Sequence, residues 1–163
     1  MTELKKSVIK LLKEDARYSA SDIAVMLGKE EKEIKTIIEE LENSGIIAKY
    51  TAVINNEKTG EDFVDALIEV KVTPQARSGF DAIAEEICRY DEVKAVYLMS
   101  GTFDLAIMLQ SRTMRDISLF VSERLARIES VVSTATHFIM KQYKEGGVLL
   151  FDGDDSFRIP MHE

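Results

Sequence analysis

The chain has 163 residues, is 45% hydrophobic and carries a net charge of −8. That length suits one or two small domains whose cores need no staple, and the single Cys88 excludes an internal disulfide. The acidic balance excludes a general nucleic-acid coat, because phosphate is neutralised by Lys and Arg. No run approaches a membrane span, and Met1-Thr2-Glu3-Leu4-Lys5-Lys6 leads into no long apolar stretch, so a cytoplasmic protein without a signal peptide is expected.

Leu4, Val8, Leu11 and Leu12 recur at helical spacing and predict a helix from about Thr2 to Asp15. After Arg17-Tyr18, Ser19 is a good N-cap and Asp22 completes a capping box. Ile23, Ala24 and Leu27 then face inward until Gly28, a left-handed stop. A third helix is expected from about Glu30 to Asn43, with the stripe Ile34, Ile37, Ile38 and Leu41, ended by Gly45. Ile46-Ile47 and Tyr50 to Ile54 are rich in β-formers and predict a strand-like wing. From Ala16 to Asn55, then, the chain reads as a helix-turn-helix with a wing, which presents one helix to the DNA major groove. The polar stretch Asn55 to Gly60 is the expected boundary. It gives a head over 1–60, a second domain over 61–144 and a tail over 145–163.

The second part alternates in type. Phe63 to Val72 reads as a strand ended by Pro74, and Phe80, Ile83, Ala84 and Ile87 mark a helix. Val93 to Met99 and Phe103 to Leu109 read as strands. Met114, Ile117, Val121, Leu125 and Ile128 mark a second helix, and Val131 to Tyr143 a final strand. The order β-α-β-β-α-β predicts an α+β, ferredoxin-like sandwich with helices on one sheet face. The other face would need a partner, so a dimer through this domain is expected. In the tail, Val148 to Phe151 could add a strand, and Asp152-Gly153-Asp154-Asp155 reads as a solvated turn rather than a calcium loop.

Charge is uneven. Residues 1–60 hold ten basic and eleven acidic side chains, whereas 61–163 hold eleven and eighteen, which suits a DNA-reading head on an acidic body. With the isoleucine stripe inward, the third helix turns Lys29, Lys32, Thr36, Glu39 and Asn43 outward. Its N-terminal half, the half that reaches bases, offers Lys29, Lys32, Lys35 and Thr36. Glu30, Glu31 and Glu33 suit the helix dipole, and Glu39, Glu40 and Glu42 lie toward the far end. Arg17, Ser19, Ser21 and Lys49 are candidate phosphate contacts. A charged, solvated helix of a three-helix interaction domain fits the same periodicity.

Ser100-Gly101-Thr102-Phe103-Asp104 reads first as a hairpin turn. Its glycine N–H groups and carboxylate also complement the carboxylate and ammonium of a free amino acid. Thr134 and Thr136 point to one face of the last strand. His137 and His162 have no ligand-spaced neighbours, so no metal is expected. Cys88 reads as structural, and no catalytic constellation or cofactor motif occurs.

These pieces together resemble the Lrp/AsnC (leucine-responsive, feast/famine) family of transcription regulators. The resemblance is carried by Ala16-Arg17-Tyr18-Ser19, Gly28, Ile34…Ile38…Leu41…Gly45-Ile46-Ile47, Tyr50-Thr51-Ala52-Val53-Ile54-Asn55, Ser100 to Asp104, Val131 to Thr136 and Lys144. It implies a DNA-binding (winged) helix-turn-helix head and a ferredoxin-like effector domain. It also implies homodimers assembled into tetramers or octamers on double-stranded DNA, and a small effector, an amino acid, bound between dimers. By position, Gly101, Thr102, Asp104, Thr134 and Thr136 would bind the effector, with Glu69, Tyr97 and Asp116 as neighbours. The chain departs from the family pattern at Glu30, where a Ser cap is usual, and at Ile37, Glu39 and Glu40, where basic residues are. Several heads acting on one DNA would then make up for weak binding by each. Two alternatives stand beside this reading: a sensing module with weak or lost DNA binding, and a siroheme-decarboxylase-like enzyme, for which the haem-contact motifs are missing. Neither a cofactor nor an enzymatic activity is expected.

Overall fold

The computed structural model describes residues 1–73 and 79–151. The expectations for Pro74 and for Asp152 to Asp155 fall outside the described residues. The chain divides into two compact units, Met1–Val53 and Ile54–Glu163.

The first unit holds α1 (Glu3–Glu14), α2 (Ala20–Leu27) and α3 (Glu31–Asn43). Local chemistry sets their ends. Ser19 and Asp22 form the reciprocal capping box at the start of α2, and Gly28 closes it at φ 62, a conformation that costs L-residues with a Cβ. Glu30 sits at the N-cap of α3 without a side-chain cap bond, so this start relies on the acids Glu31 and Glu33 against the helix dipole. Val8, Ile23, Ala24, Ile34, Ile37 and Leu41 are buried together, with Leu4, Leu12, Tyr18, Ile38 and Ile47 packed around them. Each buried aliphatic of this size contributes about 1.5–3 kcal/mol against exposure.

The strand expected in the wing does not form. Gly45 at φ 72 and the bond from Ile47 N–H to the Leu41 carbonyl close α3, but residues 46–55 form no strand. A strand needs a ladder partner, and the first unit has no other extended segment to supply one. Ile46, Tyr50 and Val53 therefore stay exposed.

The second unit holds β1 (Val64–Val72), α4 (Asp81–Cys88), β2 (Val93–Leu98), β3 (Leu105–Ser111), α5 (Met114–Glu123) and β4 (Val131–Phe138). The sheet order is β2-β3-β1-β4 with antiparallel neighbours, the expected β-α-β-β-α-β sandwich. Residues 55–60 belong here rather than to the head, because the Asn55 amide donates to the Leu150 carbonyl at 2.7 Å and Asn56–Lys58 forms a 3-10 turn. The break between units thus falls after Val53, earlier than the polar stretch alone suggests.

Two element ends differ from expectation. The second helix stops at Glu123 and gives way to a 3-10 turn at Leu125–Arg127, which still buries Leu125. The last strand stops at Phe138. Its partner β1 begins at Val64, so beyond the bond from Ile139 N–H to the Asp65 carbonyl there is no ladder left to extend. The chain instead forms a small hairpin, β5 (Lys144–Glu145) with β6 (Val148–Leu149). Gly146 and Gly147, at φ 53 and 88, supply the positive φ angles that a two-residue hairpin turn requires.

Alternation assigns the sheet faces. Ala66, Ile68 and Val70 of β1 and Leu105, Ile107 and Leu109 of β3 are buried against Ile83, Ile87, Ile117 and Phe120 of the helices. The opposite face carries Leu67, Glu69, Ala106, Met108, Tyr97, Ala135 and His137 by register, with no helix of this unit upon it.

Candidate nucleic-acid interface and effector region

On α3 the burial of Ile34, Ile37 and Leu41 fixes the opposite stripe as Lys32, Thr36, Glu39 and Asn43, all exposed, while Lys29, also exposed, precedes the helix rather than lying on it as expected. Thr36 spends its hydroxyl hydrogen on the Lys32 carbonyl, 3.1 Å away, which leaves its oxygen and methyl outward. Four acids of α3 flank this stripe, and three of them are bonded within the head, Glu33 being the exception. Glu31 pairs with Lys35 at 2.5 Å, Glu40 reaches Lys5 of α1 at 2.6 Å, and Glu42 accepts the Tyr50 hydroxyl at 2.9 Å. The bond to Glu31 holds the Lys35 ammonium pKa up, and desolvation, with help from Glu42, raises that of Tyr50. Glu39 is the one acid inside the outward stripe.

The sequence-expected phosphate contacts behave differently from one another. Arg17 is bonded to Asp15 through both guanidinium and backbone, which holds the Asp15 carboxyl at about 2. Its exposed fork would have to leave that partner to meet a phosphate. Ser19 is used as a cap: its Oγ donates to Asp22 and accepts from the Asp22 N–H. Ser21, Lys29, Lys32 and Lys49 are exposed and available.

In the second unit two of the expected effector residues, Asp104 and Thr134, flank Val70. The Asp104 N–H donates to the Val70 carbonyl, and Thr134 faces Val70 from the other side of β1. Two strand spacings, roughly 10 Å, separate them. The Asp104 carboxylate also accepts the Val72 N–H at 2.8 Å, so part of its capacity is spent within the fold. Thr134 and Thr136 are half-buried on the helix-covered face, while Gly101 and Thr102 are exposed in the loop before β3. The neighbours do other work. Asp116 and Thr113 cap α5 reciprocally, and Glu69 lies on the open face, 3.3 Å from His137. None of the five expected residues lines the cavity of about 230 Å³ bounded by Asn55, Phe63, Asp65, Ile139 and Leu150. Among the described residues no group of three or more His, Cys, Asp or Glu could hold a metal ion.

Sequence periodicity did not reveal the Lys5–Glu40, Tyr50–Glu42 or Asp104–Val72 contacts, since each joins segments whose meeting is decided by tertiary packing.

The comparisons agree with the two-unit fold. A winged helix-turn-helix DNA-binding domain matches residues 1–48, and the Lrp/AsnC ligand binding domain matches residues 65–149. The chain is 44% identical over 160 residues to the uncharacterized HTH-type transcriptional regulator YugG of Bacillus subtilis, spanning 98% of this chain and 96% of that protein. Its fold matches the leucine response regulatory protein of Mycobacterium tuberculosis with a TM-score of 0.75 at 18% identity, covering 90% of this chain and 97% of that one. It also matches a transcriptional regulator of Neisseria meningitidis, solved as a complex with L-Met, with a TM-score of 0.71 at 19% identity over 89% and 93% of the two chains.

Proposed function

The chain belongs to the Lrp/AsnC family of transcription regulators, with a helix-turn-helix head and an Lrp/AsnC ligand-binding domain, and from that premise we propose how it works. Its head reads a specific DNA site, two heads of a homodimer entering successive major grooves. An amino acid bound by the second domain changes how dimers assemble, and so changes DNA occupancy. The coupling needed is modest, on the order of 1–3 kcal/mol. The protein acts in the cytoplasm.

The observation that carries the reading is the outward stripe of α3. Lys32 leads it, with Lys29 exposed just before the helix, Thr36 follows, and the flanking acids Glu31, Glu40 and Glu42 are bonded to partners inside the head. An acidic helix thereby keeps the Lys32 ammonium outward on its reading stripe. Lys35, held by Glu31, contributes less than Lys32. Ser21 and Lys49 suit phosphate, whereas Arg17 and Ser19 can contribute only by giving up a bond to Asp15 or Asp22.

Support for the effector comes from the placing of Asp104 and Thr134 on either side of Val70, with Thr136 next along the same face of β4 and Gly101 and Thr102 exposed in the loop before β3. A second copy would complete the site. The open sheet face, with Leu67, Met108 and Tyr97, offers a surface through which copies can associate. The L-Met complex of the Neisseria regulator supports an amino acid as the ligand class.

The test combines two readouts on one variant. Lys32→Glu with Lys35→Glu should abolish DNA binding and leave intact the thermal shift produced by the activating amino acid. A variant that binds DNA as the wild type does would remove α3 from the reading role. A protein stabilised by none of the twenty amino acids would remove the effector claim.

A further inference from the structure

We infer that Glu39 reads a base: its carboxylate accepts a hydrogen bond from the N4 amino group of a cytosine in the major groove. This rests on the proposed reading of DNA by α3.

Glu39 is set apart from the other acids of the helix by its place on the outward stripe, Glu33 being unbonded but on the flank. Glu31, Glu40 and Glu42 lie on the flanks and have partners in Lys35, Lys5 and Tyr50. Glu39 lies on the stripe opposite the buried Ile34, Ile37 and Leu41, in line with Lys32, Thr36 and Asn43, and forms no hydrogen bond or ion pair with the described residues. Lys35, one turn back, is bonded to Glu31 and feels the Glu39 charge only through space, as a minor cause of its raised pKa. A recognition helix lying along the groove can read bases with residues three, four and seven apart, as homeodomains do, so a side chain one turn past Thr36 is within the reading stripe.

The chemistry of the base edges then selects the partner. An ionised carboxylate only accepts, so guanine N7 and O6 and thymine O4 repel it. Two donors remain, adenine N6 and cytosine N4. Adenine N6 is flanked by acceptors on both sides, its own N7 and the O4 of the paired thymine. Cytosine N4 has an acceptor on one side only, the O6 of the paired guanine, and a neutral C5–H on the other. A carboxylate can meet N4 from that side without facing a second acceptor. The same charge that weakens non-specific binding by repelling phosphate thereby gains its compensation only on the right sequence, so it raises the ratio of specific to non-specific binding.

The experiment is selection of sites from randomised duplex DNA by the full-length protein, as wild type, Glu39→Ala and Glu39→Gln. Position 39 is exposed, and both replacements are good helix formers, so the head keeps its fold. The wild-type motif should hold a cytosine in each half-site that Glu39→Ala no longer selects, a loss of preference of about fivefold or more there with the other positions unchanged. Glu39→Gln should move that position toward adenine, whose N6 and N7 match an amide. An unchanged motif in Glu39→Ala, with affinity raised for every duplex alike, would show that the residue only repels phosphate and would overturn this assignment alone. A wild-type protein that selects no motif would overturn base reading by α3 and this assignment with it.

Discussion

The carboxylate of Asp104 accepts a hydrogen bond from the backbone N–H of Val72 at 2.8 Å, tying the turn before β3 to the end of β1. Val72 is buried and Asp104 half-buried, so the bond is shielded and charge-assisted. Asp104→Ala leaves that N–H unmatched and should cost about 1.5–3 kcal/mol of stability in urea unfolding. Asp104→Asn keeps an acceptor and should cost less. If Asp104 also holds an effector ammonium, Asn should fold and yet lose the amino-acid thermal shift. A cost below about 0.5 kcal/mol for Ala would mean that the bond contributes nothing.

The capping box of α2 should be worth a measurable part of the head's stability. Ser19→Ala removes the Oγ that serves the Asp22 N–H and should cost about 1 kcal/mol. Ser19→Asp keeps a capping oxygen but sets a second carboxylate against Asp22, so it should recover only part of the loss. Thermal unfolding of the wild type and both variants decides.

Acid should loosen the head through Asp15. Its carboxyl, bonded by the Arg17 side chain and N–H, titrates at about 2 in the folded protein against an ordinary 3.8. The folded state therefore favours the anion. The resulting stabilisation is complete above about pH 5 and is lost as the pH falls through the folded value near 2. Asp15→Asn should be less stable than wild type at neutral pH and should show a shallower decline between about pH 4 and 2, read by circular dichroism. Identical acid profiles for the two proteins would remove Asp15 from the account.

The lysines of α3 should differ in what they do to DNA affinity. The Lys32 ammonium forms no ion pair among the described residues, whereas Lys35 is bonded to Glu31 at 2.5 Å. Lys32→Ala should weaken binding and lower the salt dependence by about one counterion, and Lys35→Ala by less. Anisotropy titrations across salt concentrations give both slopes, and equal slopes for the two variants would contradict this ranking.

Much of this was legible along the chain because it is local. Ser19, Asp22 and Gly28 announce α2 by side-chain reach and by φ, and Ile34, Ile37 and Leu41 announce the buried face of α3 by spacing alone. The alternation of strands and helices after Phe63 gave the sandwich for the same reason. What local pattern misjudged depends on partners. Tyr50 to Val53 has the composition of a strand but finds no ladder within its own unit, and the last strand ends where β1 runs out at Val64. The site was legible as residue types, less so as geometry. Nothing near Asp104 in sequence points to Val72, and nothing near Glu40 points to Lys5. The acidity of α3 therefore looks prohibitive on the page, although three of its carboxylates are bonded inside the head.

The central claim is that this head reads regulatory DNA under the control of an amino acid, and a mobility-shift titration tests it most directly. The full-length protein is added at low salt to regulatory DNA of its own genome and to a scrambled duplex, with and without each amino acid that raises its melting temperature. The account predicts a retarded complex with the regulatory DNA, absent or far weaker on the scrambled duplex, whose occupancy changes when the amino acid is present. Equal binding to both duplexes, or none to either, with or without amino acids, would contradict it.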